Sequence, residues 1–195
     1  MRWGIPYVIV TGLVLAGIVH ISIVLLMPNY GTRDAWAFLS GRTDLFSFTL
    51  LNSNQKSETI SEMDPFFSHG VCRFDLEEGA LKLEGPDTPL FWSISVFDET
   101  GTVIYGLNNR TAIDGHLNLV IVNPIQTLEL RESLPEEFQT AVVIEANVRF
   151  GFVVVRVLQP DKSWEEQTGE FLKEITCSRF ETAVSLGEGK RKYAG

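Results

Sequence analysis

Histidine, cysteine and methionine are scarce in this 195-residue chain, at 3, 2 and 3 residues. Beyond the hydrophobic N-terminal run only His69 and His116 remain, so a nucleophile–base pair has few members to draw on. The chain has no G-x-S-x-G elbow, phosphate loop or dinucleotide fingerprint, and Gly101 and Gly106 lack the spacing and the following helix that such a fingerprint needs. His69-Gly-Val-Cys72 has an H-x-x-C spacing, but two ligands do not make a zinc site and no second pair follows. Acidic pairs exist at Glu77-Glu78 and Asp98-Glu99, beside turns, where such pairs are ordinarily solvated. The expectation is a non-enzymatic chain with no cofactor and no metal.

Positive charge is also in short supply. Setting aside Arg2, 15 of the 16 basic residues face 25 acidic ones, a net charge of −10 beyond the N-terminal run. That balance disfavours nucleic acid and adhesion of the domain body to anionic lipid. The one basic cluster, Lys190-Arg191-Lys192, lies among Gly187, Gly189 and Gly195 and reads as a solvated, flexible tail over 181–195.

Uncharged residues, by contrast, run without a break from Tyr7 to Met27, long enough to cross a bilayer's hydrocarbon core. A cleaved signal peptide would have a shorter apolar stretch and a small-x-small site, whereas this run ends Leu25-Leu26-Met27-Pro28. Residues 1–28 therefore read as a retained transmembrane anchor. Arg2 and the α-amino group on the short side argue for an N-terminus inside, with about 165 residues lying outside the cytoplasm. Gly12, Ala16 and His20, four apart, share one helical face that suits packing against another helix.

Thr32 to Leu39 reads as a short juxtamembrane helix with Thr32 as N-cap and Gly41 as stop, within a linker spanning 29–43; Tyr30 and Trp36 suit a membrane interface. From 44 to 180 the pattern turns to period two. Strands are expected at Leu45–Leu51, Ala80–Glu84, Phe91–Phe97, Thr102–Tyr105, Leu117–Val122, Ala141–Val148 and Phe152–Leu158. Glu78-Gly79, Gly85-Pro86, Gly101, Asp114-Gly115, Asn123-Pro124 and Phe150-Gly151 punctuate them as turns. The fold class is thus mainly β, an antiparallel sandwich or partly open barrel. Residues 141–158 read as a buried hairpin in which Arg156 needs a carboxylate or carbonyl partner. His116 reads as the solvent side of a strand. One C-terminal helix opens with Ser163-Trp-Glu-Glu166, a capping box, and buries Trp164, Phe171, Leu172 and Ile175. Cys177 at its end pairs with Cys72 in a disulfide that an exported location permits, stapling the helix to the sheet.

A family resemblance rests on Asp64-Pro-Phe-Phe-Ser-His-Gly-Val-Cys-Arg-Phe-Asp-Leu76, Phe91-Trp-Ser-Ile-Ser-Val-Phe-Asp-Glu-Thr-Gly101 and Tyr105-Gly-Leu-Asn-Asn-Arg110. The Trp-Ser-x-x-x-Phe-Asp-x-x-Gly and Asn-Arg arrangement resembles bacterial proteins of domain-of-unknown-function family 1254, related to companion family 1214, in their short one-span form. The resemblance implies an all-β domain outside the inner membrane, working beside another envelope protein such as a companion-family protein, and it carries over no catalytic residue. On physical grounds Trp92 suits a core anchor, Asp98 and Gly101 a hairpin turn, and Arg110 a carboxylate pair. Trp92, Tyr105, Asn109 and Arg110 also form the candidate ligand set for a sugar or glycan. The leading functional expectation is an interaction or assembly module of the cell envelope. The alternative is a periplasmic glycan-binding or glycan-processing domain.

Overall fold

The structure is a computed structural model describing residues 4–51, 64, 66–88, 90–132 and 140–180, without the side chains of 27–34 and 132. The expectations for Tyr30 and Thr32 and for the tail 181–195 fall outside these.

The chain begins as one helix, α1 (Gly4–Ser40), about 55 Å long at 1.5 Å per residue. Its Gly4–Leu26 portion has a mean hydropathy of 2.6 and none of it is buried, so it is long and apolar enough to span a bilayer. The separate helix expected over 32–39 is instead the last part of α1. Pro28 withholds one backbone donor but does not end the helix, because packing further along, at Trp36 and Leu39, holds the C-terminal turns in place.

Nine strands follow among the described residues: β1 (Phe48–Leu51), β2 (Phe67–Asp75), β3 (Ala80–Glu84), β4 (Trp92–Asp98), β5 (Val103–Asn108), β6 (Asn118–Val122), β7 (Val142–Glu145), β8 (Phe150–Leu158) and β9 (Thr176–Phe180). They form two sheets. The first is antiparallel in the order β1-β2-β8-β4-β5, and the second runs β7-β6-β3-β9. No closed barrel forms. The core lies between the sheets, where alternation buries Cys72, Phe74, Trp92, Ile94, Val96, Val153, Val155 and Val157 from one side and Leu81, Leu83, Leu119 and Ile121 from the other. Gly151 admits a close approach: a Cβ there would lie 2.4 Å from the Phe74 ring and 2.5 Å from the Phe97 carbonyl oxygen.

Four expectations need correction. Residues 141–158 are not a hairpin, since β7 lies in the second sheet and β8 in the middle of the first. Alternation tells which residues face inward but not which sheet a strand joins. β7 pairs parallel with β6, and a parallel pair needs a crossover, here carrying α2 (Pro124–Glu132). Asn123-Pro124, read as a turn, is the start of that helix. The Gln126 amide donates to Asn123 Oδ1 at 2.8 Å and the Asn123 amide to Gln126 Oε1 at 2.9 Å, a reciprocal cap with Pro at the first helical position. At the C-terminal helix the cap is Asp161 rather than Ser163; its Oδ1 accepts from the Ser163 amide at 2.7 Å, opening a 3-10 turn (Lys162–Trp164) that runs into α3 (Glu165–Glu174). α3 buries Phe171 and Leu172, with Ile175 just beyond it, but leaves Trp164 38% exposed.

The fourth correction concerns the bridge. Cys72 and Cys177 are bonded, with Cα atoms 6.5 Å apart and a sequence separation of 105. Cys177 sits in β9 rather than at a helix end, so the disulfide ties the first sheet to the second. Closing so long a loop stabilises by up to about 4–5 kcal/mol in the chain-entropy model. The Cys72→Ser/Cys177→Ser double variant is expected to lose about 2–5 kcal/mol, read as a lower Tm for the detergent-solubilised protein under non-reducing conditions. Wild type under reducing conditions should match it.

Candidate functional site

The outer face of the first sheet is divided into two halves. Strand register sets residues in rows across it: Arg73, Phe152, Phe97 and Val103 near one end; Thr49, Val71, Val154, Ser95 and Gly106 in the middle; Leu51, His69, Arg156, Ser93 and Asn108 toward the other.

The first half receives the end of α1. The Trp36 ring lies 5.7 Å from Phe150 and 6.4 Å from Phe152, and Phe152 stacks on Phe97 at 5.0 Å. Leu39 is buried with Val71 and Phe152. Arg73 sets its guanidinium 4.4 Å from the Trp36 centroid and donates from Nη1 to the Thr43 carbonyl at 2.8 Å. Thr43 in turn donates its hydroxyl to the Leu39 carbonyl at 2.9 Å. These bonds satisfy carbonyls that the helix end leaves open. Burial pushes the Arg73 guanidinium below its usual range, with Asp44 opposing. Phe46 follows with a φ of 54°, turning the chain toward β1 while its ring joins the inter-sheet core.

Beyond the helix the face carries a polar row, His69, Arg156, Ser93 and Asn108, and then Phe67 and Leu158 at the strand ends. Arg156, expected to be buried and paired with a carboxylate or carbonyl, is exposed and donates from Nη2 to Ser95 Oγ at 3.1 Å. It lies on the outward side of a strand whose other side forms the core. His69, aligned with it across β2 and β8, is 8% exposed. Burial, and next the Arg156 charge, lower the His69 pKa from 6.5, while Asp64 and the Phe67 backbone oppose.

The loops at that end hold a cavity of about 390 Å³ lined by Asp87, Thr88, Asn109, Asp114, Gly115 and His116. His116 stands just before β6 rather than within a strand, with Nδ1 against Asp87 Oδ1. Asp114, at a φ of 53°, and Gly115, at 75°, bend the loop beneath it.

The four sequence-derived ligand candidates do not converge. Trp92 is 0% exposed and fills the core, so its face is not presented to a ligand. Tyr105 is 40% exposed at the edge of the first sheet. Asn109 lines the cavity and donates to the Leu90 carbonyl at 3.4 Å. Arg110 is exposed, its backbone amide donating to Asn108 Oδ1 at 2.9 Å, and among the described residues no carboxylate pairs with it. His69 and Arg156 were not in the candidate set. Their juxtaposition comes from strand register, which the sequence does not state. Cys72 is committed to the disulfide and is not available as a thiolate ligand beside His69. Asp98 and Gly101 do form the β4–β5 turn: Asp98 Oδ1 accepts from the amides of Thr100 and Thr102, both at 2.8 Å, and Gly101 has a φ of 79°. Along α1, Gly12, Ala16 and His20 lie on an exposed surface, with nothing within 4 Å of where a Gly12 Cβ would stand.

Fold and faces together define a two-sheet β-domain docked on the end of a single long helix with an apolar first part. The chain belongs to the family described as protein of unknown function (DUF1254), whose model matches residues 49–178. Its fold is similar to that of the VPA0106 protein from Vibrio parahaemolyticus, at 10% identity and a TM-score of 0.56, over 82% of this chain and 38% of that one. An uncharacterised protein from Burkholderia cenocepacia matches at 16% identity and a TM-score of 0.44, over 67% of this chain and 36% of its own. The chain thus spans little more than a third of the solved structures it matches. No curated protein matches it.

Two tests follow from this geometry. Arg73→Ala removes the partner of the Thr43 carbonyl and the cation over Trp36, and is expected to cost about 2–4 kcal/mol. Hydrogen exchange should then rise at Leu39 to Phe46 while the β2–β8 amides stay protected. For His69, a folded pKa below 6.5 means that the unfolded chain takes up the proton first as pH falls. No stability is lost above pH 6.5; the loss begins as pH drops through 6.5 and is complete below the folded value. His69→Phe should flatten the stability profile over that window, as measured by denaturant unfolding at a series of pH values.

Proposed function

We propose that this is a membrane-anchored, non-enzymatic interaction module of the bacterial cell envelope, with its β-domain in the periplasm and its N-terminus in the cytoplasm. The observation that carries the reading is β5. It is an edge strand of six residues, Val103-Ile-Tyr-Gly-Leu-Asn108, with no charge and no proline, and it leaves Val103 60% and Tyr105 40% exposed. Edge strands of stable monomers are usually guarded by charge, proline or a covering element, because their unpaired backbone groups recruit further strands. An uncharged edge supports docking of an extended segment by strand addition.

Retention of the helix is supported by its continuity. Signal cleavage needs an extended stretch after the apolar run, whereas here the chain stays helical from Gly4 to Ser40 and its end is built into the sheet's outer face. The Gly12, Ala16 and His20 surface supports a second contact inside the bilayer. A docked helix also restricts how the domain can turn above the membrane, which holds the β5 edge in a constant orientation. The occupant proposed for this edge is an extended segment of a different envelope protein.

The glycan reading has less support, since Trp92 lies in the core and the cavity that Asn109 lines contains neither Tyr105 nor Trp92. The test is affinity purification of the full-length protein, tagged at its C-terminus and expressed at native level in mild detergent. A stoichiometric envelope protein should copurify, and Gly106→Pro with Val103→Lys should release it while leaving thermal stability within about 1 kcal/mol. A solitary protein at native level would overturn the reading.

A further inference from the structure

The far half of the first sheet's outer face is rich in donors on a chain that is acidic overall. Across β1, β2, β8, β4 and β5 two neighbouring rows hold Leu51, His69, Arg156, Ser93 and Asn108, then Thr49, Val71, Val154, Ser95 and Gly106, with no acidic residue among them, and the row beyond, at the strand ends, holds Phe67 and Leu158. Arg156 is exposed and held by Ser95. Arg110 is exposed two residues after Asn108, and its backbone amide donates to Asn108 Oδ1. Neither guanidinium pairs with a carboxylate among the described residues. Arg156 and Asn108 are two strand spacings apart, about 10 Å, a gap that two arginine side chains can close from either side.

We propose that Arg110 and Arg156, with Ser93, Ser95 and Asn108 between them, bind an oxyanion: the carboxylate or phosphate group of a small ligand. The chemistry is that of planar guanidinium forks, which present paired N–H donors to two oxygens of one anion, supplemented by hydroxyl and amide donors. The docked helix bounds this strip on one side. The inference is independent of partner docking at the β5 edge and survives its failure.

His69 serves as an internal reporter. The charged and titratable groups facing it are Arg156 from β8 and Asp64 from the segment before β2, while β1 presents Leu51. Burial first and the Arg156 charge second lower the His69 pKa, and an anion bound at Arg156 offsets the second of these, so binding and His69 titration are linked. The effect is local and does not require the fold to change.

The experiment titrates the full-length protein in nonionic detergent with inorganic phosphate and, separately, with D-glucuronate. Affinity is followed by calorimetry and the His69 ring by NMR across pH. Saturable binding by either probe is expected, accompanied by a rise in the His69 pKa. Arg156→Gln and Arg110→Gln should each weaken binding at least roughly tenfold, with Arg131→Gln on α2 as the unaffected control. Binding of glucuronate alone assigns the site to carboxylates, of phosphate alone to phosphate esters, and of both to oxyanions in general. Absence of saturable binding, binding indifferent to both arginine variants, or a His69 pKa that does not move would each overturn the proposal. The His69 readout on the wild-type protein keeps the test valid if either variant disturbs the loop.

Discussion

The contact between Arg73 and Trp36 is the constraint on which the arrangement of this protein depends. A buried guanidinium is costly unless its donors and charge are accommodated. Here the ring of α1 takes the charge on its face and the Thr43 carbonyl takes a donor. The same two partners close the helix end and seat it on the sheet. Without that seat, Val71, Phe97 and Phe152 would form an exposed apolar patch on a sheet face that would otherwise meet water. The docking therefore decides how much of the outer face is left for anything else.

What is left is chemically distinct. Apolar residues lie under the helix, and serine, asparagine, histidine and arginine lie beyond it on the same strands. β8 shows the change along its own length. Phe150 and Phe152 face the helix, Val154 marks the boundary, and Arg156 faces outward beyond it, while Val153, Val155 and Val157 keep to the core throughout. A sheet with a wholly solvated face would not have carried two phenylalanines there.

Much of the fold was legible from residue order, for a reason that individual strands make plain. Ala80–Glu84 and the Trp92 strand alternate cleanly because one side of each meets the core and the other meets polar surroundings. The nine-residue strand Phe67–Asp75 escaped because both its sides are buried, one by the second sheet and one by α1, so its alternation is masked. Asn123-Pro124 was read as a turn although Asn-Pro-x-Gln also spells a helix cap, and the two readings separate only when Gln126 is seen to fold back on Asn123. For the candidate site the sequence nominated the loop at Asn109 and Arg110, of which Asn109 lines the cavity. It also nominated Trp92, whose indole turned out to be core, because an aromatic ring in an alternating strand looks the same whether it faces a ligand or another sheet.

Residue order alone determined the long apolar helix, the dominance of β-structure and the identity of most inward-facing residues, since each follows from local periodicity or from simple counting. Tertiary structure alone decided that β7 and β8 part company, that the disulfide joins two sheets, that α1 continues past Pro28 to cover half of one sheet, and that Arg156 stands beside His69. These depend on which strands become neighbours and on what covers them. Residues far apart in sequence meet only once a register has been chosen, and the choice is made by the summed packing of the whole chain rather than by any one segment.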